Sequence, residues 1–383
     1  MHFSHVPPTA CVRTFPDRLS RSRHLLLAVL LTSITLPPAL TADETESSVP
    51  PPQIPQQLLK LIHAPEVHAE LELSASDIES LEQLLKAIDG DWFRSRNLPD
   101  PERIALVEKL QEQARDWFRQ HTTKLQQARL LQLELQAQGL RMLLREDLSR
   151  ELDMQASQIK KLVELATLTD TAQRELQQAI AAKKIPLRYE GELKRRRQDE
   201  ENALTRVMTA SQLSKLERIL GATFDVAGLK RIYPLAPELV PVEQWINSAP
   251  LTLESLRGKV VLLHFYAFQC SNCKANFDVY NRWHEKYADD AVVLGIQTPE
   301  TATERDPDAV RQAASNAELR FPVMIDLKSE NWKNWSNTMW PTVYVIDKRG
   351  YLRLWWQGEL RWEGATGDQT IENLVDELLR EEL

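Results

Sequence analysis

The sequence predicts a chain of mixed class, α then α/β: an N-terminal helical bundle or coiled-coil region, followed by a domain with a mixed central sheet flanked by helices. Three observations carry this. Residues 59–221 are rich in Leu, Gln, Glu, Lys, Arg and Ala and almost free of β-branched runs. From about residue 241, strand-length runs of β-branched and aromatic residues alternate with helical stretches. One of those runs, Val260–Phe268, ends abruptly in Cys270 and Cys273, two cysteines separated by two residues.

A chain of 383 residues has room for two or three domains of about 150 residues, so one segment can do chemistry while another does something else. The net charge of -8 argues against nucleic acid or anionic membrane as the main partner. There are three cysteines, Cys11, Cys270 and Cys273.

Residues 1–42 read as an export signal. Arg13, Arg18, Arg21 and Arg23 precede an apolar run, Leu25–Leu36, then Pro37, Pro38 and the small-residue stretch Ala39–Ala42. The run is short for a bilayer span of roughly 20 residues; cleavage is the expectation and a retained membrane anchor the alternative. The expected location is the periplasm or cell envelope. Cleavage would remove Cys11 and leave one cysteine pair in an oxidising compartment, which points to a redox pair. Residues 43–58, with Pro50, Pro51, Pro52 and Pro55, form a linker.

In the helical domain, residues 59–221, Asp100, Pro101 and Glu102 mark a helix start, with Asp100 as N-cap. Behind them Ile104, Val107, Leu110, Ala114, Trp117, His121, Leu125, Ala128, Leu131 and Leu135 recur at spacings of three and four, giving one long amphipathic helix. A short pattern occurs three times, at Leu73–Leu81, Met154–Leu162 and Met208–Leu216. Ser74 with Asp77 and Thr209 with Gln212 resemble capping boxes, so each copy starts a helix. The region can be a self-association or client-binding module, or a helical spacer beside an enzyme.

The basic run Lys194–Arg197 is followed by Asp199, Glu200 and Glu201, four residues after Arg195, Arg196 and Arg197. Such i,i+4 pairing describes a solvated helix rather than a nucleic-acid surface. No glycine-rich phosphate loop is present, the histidines make no ligand spacing with the cysteine pair, and Lys274 stands where haem attachment needs histidine. No metal and no cofactor are expected.

Gly221 stops the helical domain, and residues 222–240, with Pro234 and Pro237, read as a connector. In the last domain, 241–383, Val260–Phe268 is a buried strand and the cysteines open a helix running to about Tyr287. A thiol at a helix N-terminus is stabilised as thiolate by unpaired N–H groups and the dipole. Strands are expected at Ala291–Ile296, Pro322–Leu327, Thr342–Asp347 and Leu352–Gln357, the last two as a hairpin across Lys348–Gly350. Helices are expected at Asp308–Ala317, Glu330–Trp335 and Thr370–Glu382.

Leu256–Lys259 before the first strand, Cys270-x-x-Cys273 after it, Pro299–Glu300 and Glu304–Arg305 after the second, Trp340–Thr342, and Gly358–Glu359 late in the sheet carry a resemblance. Together they make 241–383 similar to thioredoxin-fold redoxins of the TlpA/ResA/DipZ-like group, nearest its DipZ-like branch. The resemblance implies a thiol-disulfide oxidoreductase. Cys270 would be the exposed nucleophile and Cys273 the resolving thiol. Pro341 would be a cis-proline facing the cysteines, with Trp340, Ser271 and Asn272 completing the substrate-binding surface.

His264 lies six positions before Cys270, where thioredoxins place a buried carboxylate. An imidazole there, with a reference pKa of about 6.5, can accept the Cys273 proton or simply pack in the core. Gln269 stands where many relatives carry Trp, and Ser271–Asn272 replaces the dipeptides of strongly reducing or oxidising members, so direction is not encoded legibly. Trp332, Trp335, Trp355, Trp356 and Trp362 read as core and rim packing.

The expected activity is exchange of the Cys270/Cys273 dithiol or disulfide with cysteines of partner proteins, sustained by a membrane or soluble redox donor or acceptor. Residues 225–383 alone are expected to suffice for it. The rival reading is a helical binding or scaffold protein with an accessory redox domain; a thiol peroxidase ranks lower, since no Thr-x-x-Cys arrangement is present.

Overall fold

Val260–Tyr266 is a central strand of a six-stranded sheet and is buried along its whole length. The computed structural model describes residues 52–181 and 187–382; the expected export segment, 1–42, and Cys11 lie outside the described residues. In space the strands run β1 (Trp245–Ile246), β4 (Val323–Ile325), β3 (Ala291–Gln297), β2 (Val260–Tyr266), β5 (Thr342–Ile346) and β6 (Leu352–Gln357). Strands β2, β3 and β4 are parallel, while β1, β5 and β6 lie antiparallel to their neighbours. This is the mixed sheet the sequence predicts. Phe265 pairs with Thr342, so the residues entering β5, Trp340 and Pro341, meet the end of β2 where the cysteines follow.

The chain divides along a line that composition does not reveal. One compact unit joins Ile54–Met142 to Thr209–Leu383, and the other contains Leu143–Met208. The stretch expected as one helical domain, 59–221, is therefore shared between them.

In the first unit the helices are α1 (Leu58–His63), α2 (Pro65–Glu70), α3 (Ala75–Ser95), α4 (Asp100–His121) and α5 (Lys124–Gln138). Leu58, Leu61, Leu81, Leu85, Leu110, Phe118 and Leu133 share one buried cluster. Ser74 and Asp77 form the expected capping box on α3. Helix α4 starts one residue earlier than expected, with Pro99 as N-cap. The single long helix expected through Ile104–Leu135 is instead two: Thr122 leaves helical geometry, and Thr123 with Gln126 makes a further capping box that starts α5. Because each box satisfies the first orphan N–H groups of a new helix, the apolar stripe is broken there, and Leu125 is exposed.

In the second unit the helices are α6 (Glu146–Glu151), α7 (Ala156–Ala181), α8 (Leu187–Glu201) and α9 (Leu204–Val207). Ala172 and Leu176 of α7 pack against Leu193 and Tyr189 of α8. Arg195 and Arg196 pair backwards with Glu192, at i,i+3 and i,i+4, a partner that the forward spacing did not single out. Arg197 reaches Gln173 on α7.

Back in the first unit, α10 (Ala210–Leu220) begins with the expected Thr209–Gln212 box and ends at Gly221. The expected connector is packed structure: Leu229, Arg231, Ala236 and Leu239 are buried. Its backbone is stitched to the β5–β6 hairpin through Ala236 N to Gly350 O at 2.9 Å and Leu352 N to Pro234 O at 3.0 Å. The remaining helices are α11 (Ser271–Lys274), α12 (Phe277–Lys286), α13 (Pro307–Asn316), α14 (Glu330–Asn334) and α15 (Gly367–Arg380). The helix expected from the cysteines to Tyr287 is thus interrupted at Ala275–Asn276.

Alternation along β2 sends its residues to two cores. Val260, Leu262 and Tyr266 join Cys273, Tyr280 and Trp283, with Ile371, Val375 and Leu378 of α15. Val261, Leu263 and Phe265 face the other way, joining Trp335, Tyr344, Leu253, Leu256 and one residue of α3, Phe93. A helix far away in sequence therefore supplies part of the sheet's second cover.

Candidate active site

After β2 the chain turns, with Cys270 N donating to Ala267 O at 3.2 Å. Cys270 is the N-cap of α11, and its Sγ accepts the Cys273 N–H at 3.3 Å. Both cysteines are free; Cys270 is half-buried and Cys273 buried. The two thiols are poised oppositely. Hydrogen bonding from the Cys273 thiol and N–H holds the Cys270 thiol below its ordinary value, against burial and the nearby Glu300 charge. Burial pushes Cys273 well above its ordinary value, and the hydrogen bond to Cys270 adds to this. One sulfur is prepared to be thiolate and the other is withheld as thiol.

Trp340 and Pro341 lie where the β5 register puts them, joined by a cis peptide bond. Phe268, Cys270 and Trp340 pack, half-buried, against the core cluster that contains Cys273. Trp340 stacks on Trp332 with ring centroids 4.0 Å apart. Ser271 is exposed and Asn272 partly so, on the first turn of α11. Of the tryptophans read as packing, Trp335 is fully buried, while Trp362 is exposed.

His264 is on the Cys273 face of β2 but is not joined to either thiol. It is fully buried, its ring stacked on Tyr280 at 4.0 Å and on Tyr266 at 5.2 Å, with Phe321 edge-on at 5.1 Å. Neither ring nitrogen has a hydrogen-bond partner among the described residues. Burial pushes its pKa down to about 3. Gly295 makes room for the ring, since a Cβ there would stand 3.1 Å from His264 Nε2. The ring is thus packed among aromatic side chains.

Two groups at the site gave no signal of their role in the sequence. Glu304, quoted only as part of the family pattern, is a fully buried carboxylate. It accepts from Gln269 N at 2.7 Å, Glu300 N at 2.7 Å and Thr301 N at 2.9 Å, tying the cysteine turn to the loop after β3. The Thr301 hydroxyl adds a bond to Gln269 Oε1 at 2.9 Å, which gives work to the residue standing where relatives carry Trp. Asn276, buried between α11 and α12, accepts from Leu360 N at 3.0 Å and donates to Gly358 O at 3.3 Å, fixing the cysteine helix against the end of β6.

A strand leading into a dithiol at a helix start, opposite a proline-led strand in a mixed sheet, is the arrangement of a thioredoxin-like domain. Comparison with known proteins agrees with that fold: residues 241–354 match the AhpC/TSA family. It is 36% identical over 151 residues to Protein DipZ of Mycobacterium bovis and of Mycobacterium tuberculosis, a match covering 38% of this chain and 21% of each relative. The chain thus spans about a fifth of the length of those proteins. It is 29% identical over 146 residues to the thiol-disulfide oxidoreductase YkuV of Bacillus subtilis, covering 38% of this chain and 94% of the relative. A thioredoxin-like protein solved in its oxidised form is 28% identical, covering 39% of this chain and 97% of that one, with a TM-score of 0.34.

Proposed function

We propose that this protein exchanges its Cys270/Cys273 pair with cysteines of partner proteins. The observation that carries the reading is the opposite poise of the two thiols, one lowered and half-buried, one raised and buried. In the reducing direction Cys270 thiolate attacks a partner's disulfide, forms a mixed disulfide and expels one partner thiolate, which takes up a proton. Cys273 then loses its proton and attacks Cys270 Sγ, releasing the second partner thiol and closing the Cys270–Cys273 disulfide. Two electrons and two protons pass to the partner. The oxidising direction is the reverse, and the potential of the partner sets which one runs.

Ser271, Asn272, Trp340 and Pro341 would line the docking surface, and a membrane-bound or soluble redox protein would restore the pair. The export-like segment 1–42 supports a periplasmic or envelope location, with or without a retained anchor. Among the described residues no helix is long and apolar enough to cross a membrane.

A Cys273→Ser full chain is expected to accumulate mixed disulfides with partner proteins through Cys270, because the second step is removed while the first is kept. Non-reducing electrophoresis and mass mapping read this, with Cys270→Ser as the blank. Trapped species in equal amount in the blank, or none in either variant, would count against the reading. Oxidation of the pair by peroxide, without a disulfide partner, would favour the peroxidase alternative.

A further inference from the structure

We propose that Arg96 and Asn97, at the C-terminal end of α3, are positioning residues for the Trp340–Pro341 wall beside Cys270, so that the helical region helps to shape the partner's entrance. The proposal rests on the exchange reading above.

The contacts run in one continuous path. Arg96 Nη1 donates to Phe93 O at 2.7 Å, at the end of α3, and Nη2 donates to Trp335 O at 2.6 Å, at the end of α14. One guanidinium thus satisfies orphan carbonyls at two helix C-termini, where a positive charge is favoured. The same Nη2 reaches the Tyr344 hydroxyl at 3.1 Å, and that hydroxyl donates to Asn337 Oδ1 at 2.6 Å. Asn97 Nδ2 donates to Ser336 O at 2.5 Å. Ser336 has φ of +45°, a left-handed conformation that a serine holds only when its surroundings fix it. These bonds therefore grip residues 335–337, immediately ahead of Trp340.

Helix α14 is held at its other end too. Asp326 accepts from Glu330 N at 2.9 Å and from Trp332 N at 3.1 Å. Trp332, between the two grips, is the residue on which Trp340 stacks at 4.0 Å. Releasing the Arg96 end frees the α14 terminus, then the Trp332–Trp340 stack, then the strand entry at Pro341. Arg96 touches neither cysteine, so it acts on where a partner sits rather than on thiolate formation.

The test uses the full chain with Arg96→Ala, Arg96→Lys and Asn97→Ala, and insulin as the protein disulfide. Arg96→Ala is expected to raise the KM for insulin on the order of fivefold, the scale of one lost charge-assisted contact, with kcat changed less. Arg96→Lys should recover part of the loss, because it keeps the charge but not the fork. Iodoacetamide should alkylate Cys270 at the wild-type rate in all three. Amide hydrogen exchange at residues 335–340 should quicken in Arg96→Ala and, more weakly, in Asn97→Ala, which also serves if the alanine at 96 folds poorly. Unchanged exchange in both alanine variants, or an unchanged KM in a folded Arg96→Ala, overturns the proposal. If wild-type protein neither reduces insulin nor, as its disulfide, oxidises a reduced protein dithiol, the exchange reading falls, while amide exchange still decides the positioning role.

Discussion

Replacing Phe93 by alanine is expected to destabilise the redox fold by about 3–5 kcal/mol, the cost of a large-to-small change at a buried aromatic. Phe93 belongs to α3 but is buried in the cluster that covers the second face of the sheet. Its ring meets Trp335 edge-on at 5.7 Å and Tyr344 at 5.9 Å, and the Arg96 guanidinium lies over it at 3.6 Å. No local shift fills the space it leaves, because its neighbours are large rings already in contact with one another: Trp335 and Tyr344 lie 4.8 Å apart. Urea unfolding of the full chain checks this, with exposed Leu125→Ala as the comparison, expected within about 0.5 kcal/mol of wild type. Equal midpoints for the two variants would mean that α3 does not support the sheet. The same packing revises the expectation that residues 225–383 suffice. That fragment lacks Phe93, Arg96 and Asp89, whose Oδ2 takes the Leu235 N–H at 2.8 Å, and should be less stable and bind protein disulfides more weakly than the full chain.

Acidification should unload a second large term, through His264. Burial lowers its pKa to about 3, whereas the unfolded chain titrates near the reference value of about 6.5. The unfolded state therefore binds a proton across the interval and the folded state does not, so stability is whole above about pH 6.5 and drains as pH falls toward 3. The full effect is on the order of 5 kcal/mol. His264→Leu removes the titrating group and two buried nitrogens without partners, and it is expected to flatten the loss between pH 6.5 and 4 at little cost near pH 7. Urea midpoints at several pH values measure it; parallel curves for wild type and variant would contradict the assignment. The same variant should resolve mixed disulfides at the wild-type rate, since a ring that protonates near 3 is a weak acceptor for the Cys273 proton.

The reactive motif was legible because it is local. Strand, turn, two cysteines and helix start fall within Val260–Lys274, and the pairing of Pro341 follows once β5 lies beside β2. The capping boxes at Ser74 and Thr209 were legible for the same reason. What escaped was long-range or depended on burial. Nothing near Phe93 or Arg96 marks them as belonging to the sheet, since their partners stand some 240 positions away. The break at Thr122–Thr123 was masked by an apolar period that continues across it. Arg195 and Arg196 had acidic residues on both sides, and their pairing with Glu192 was a choice that spacing alone did not make. His264 is visible as a spacing before Cys270, but the tyrosines stacked on it come from different elements. Glu304 is visible as a letter in a family pattern, yet its carboxylate joins two adjacent donors of its own loop, Glu300 N and Thr301 N, to Gln269 N in the distant turn after β2.

One thiol of the pair is poised and the other withheld. Alkylation of the folded full chain by iodoacetamide across pH, with each cysteine followed by peptide mass mapping, tests it most directly. Cys270 should react with a midpoint below the ordinary cysteine value of about 8.5, while Cys273 stays unmodified over the same range. A Cys270 midpoint at or above that value, or Cys273 reacting as fast as Cys270, would contradict it.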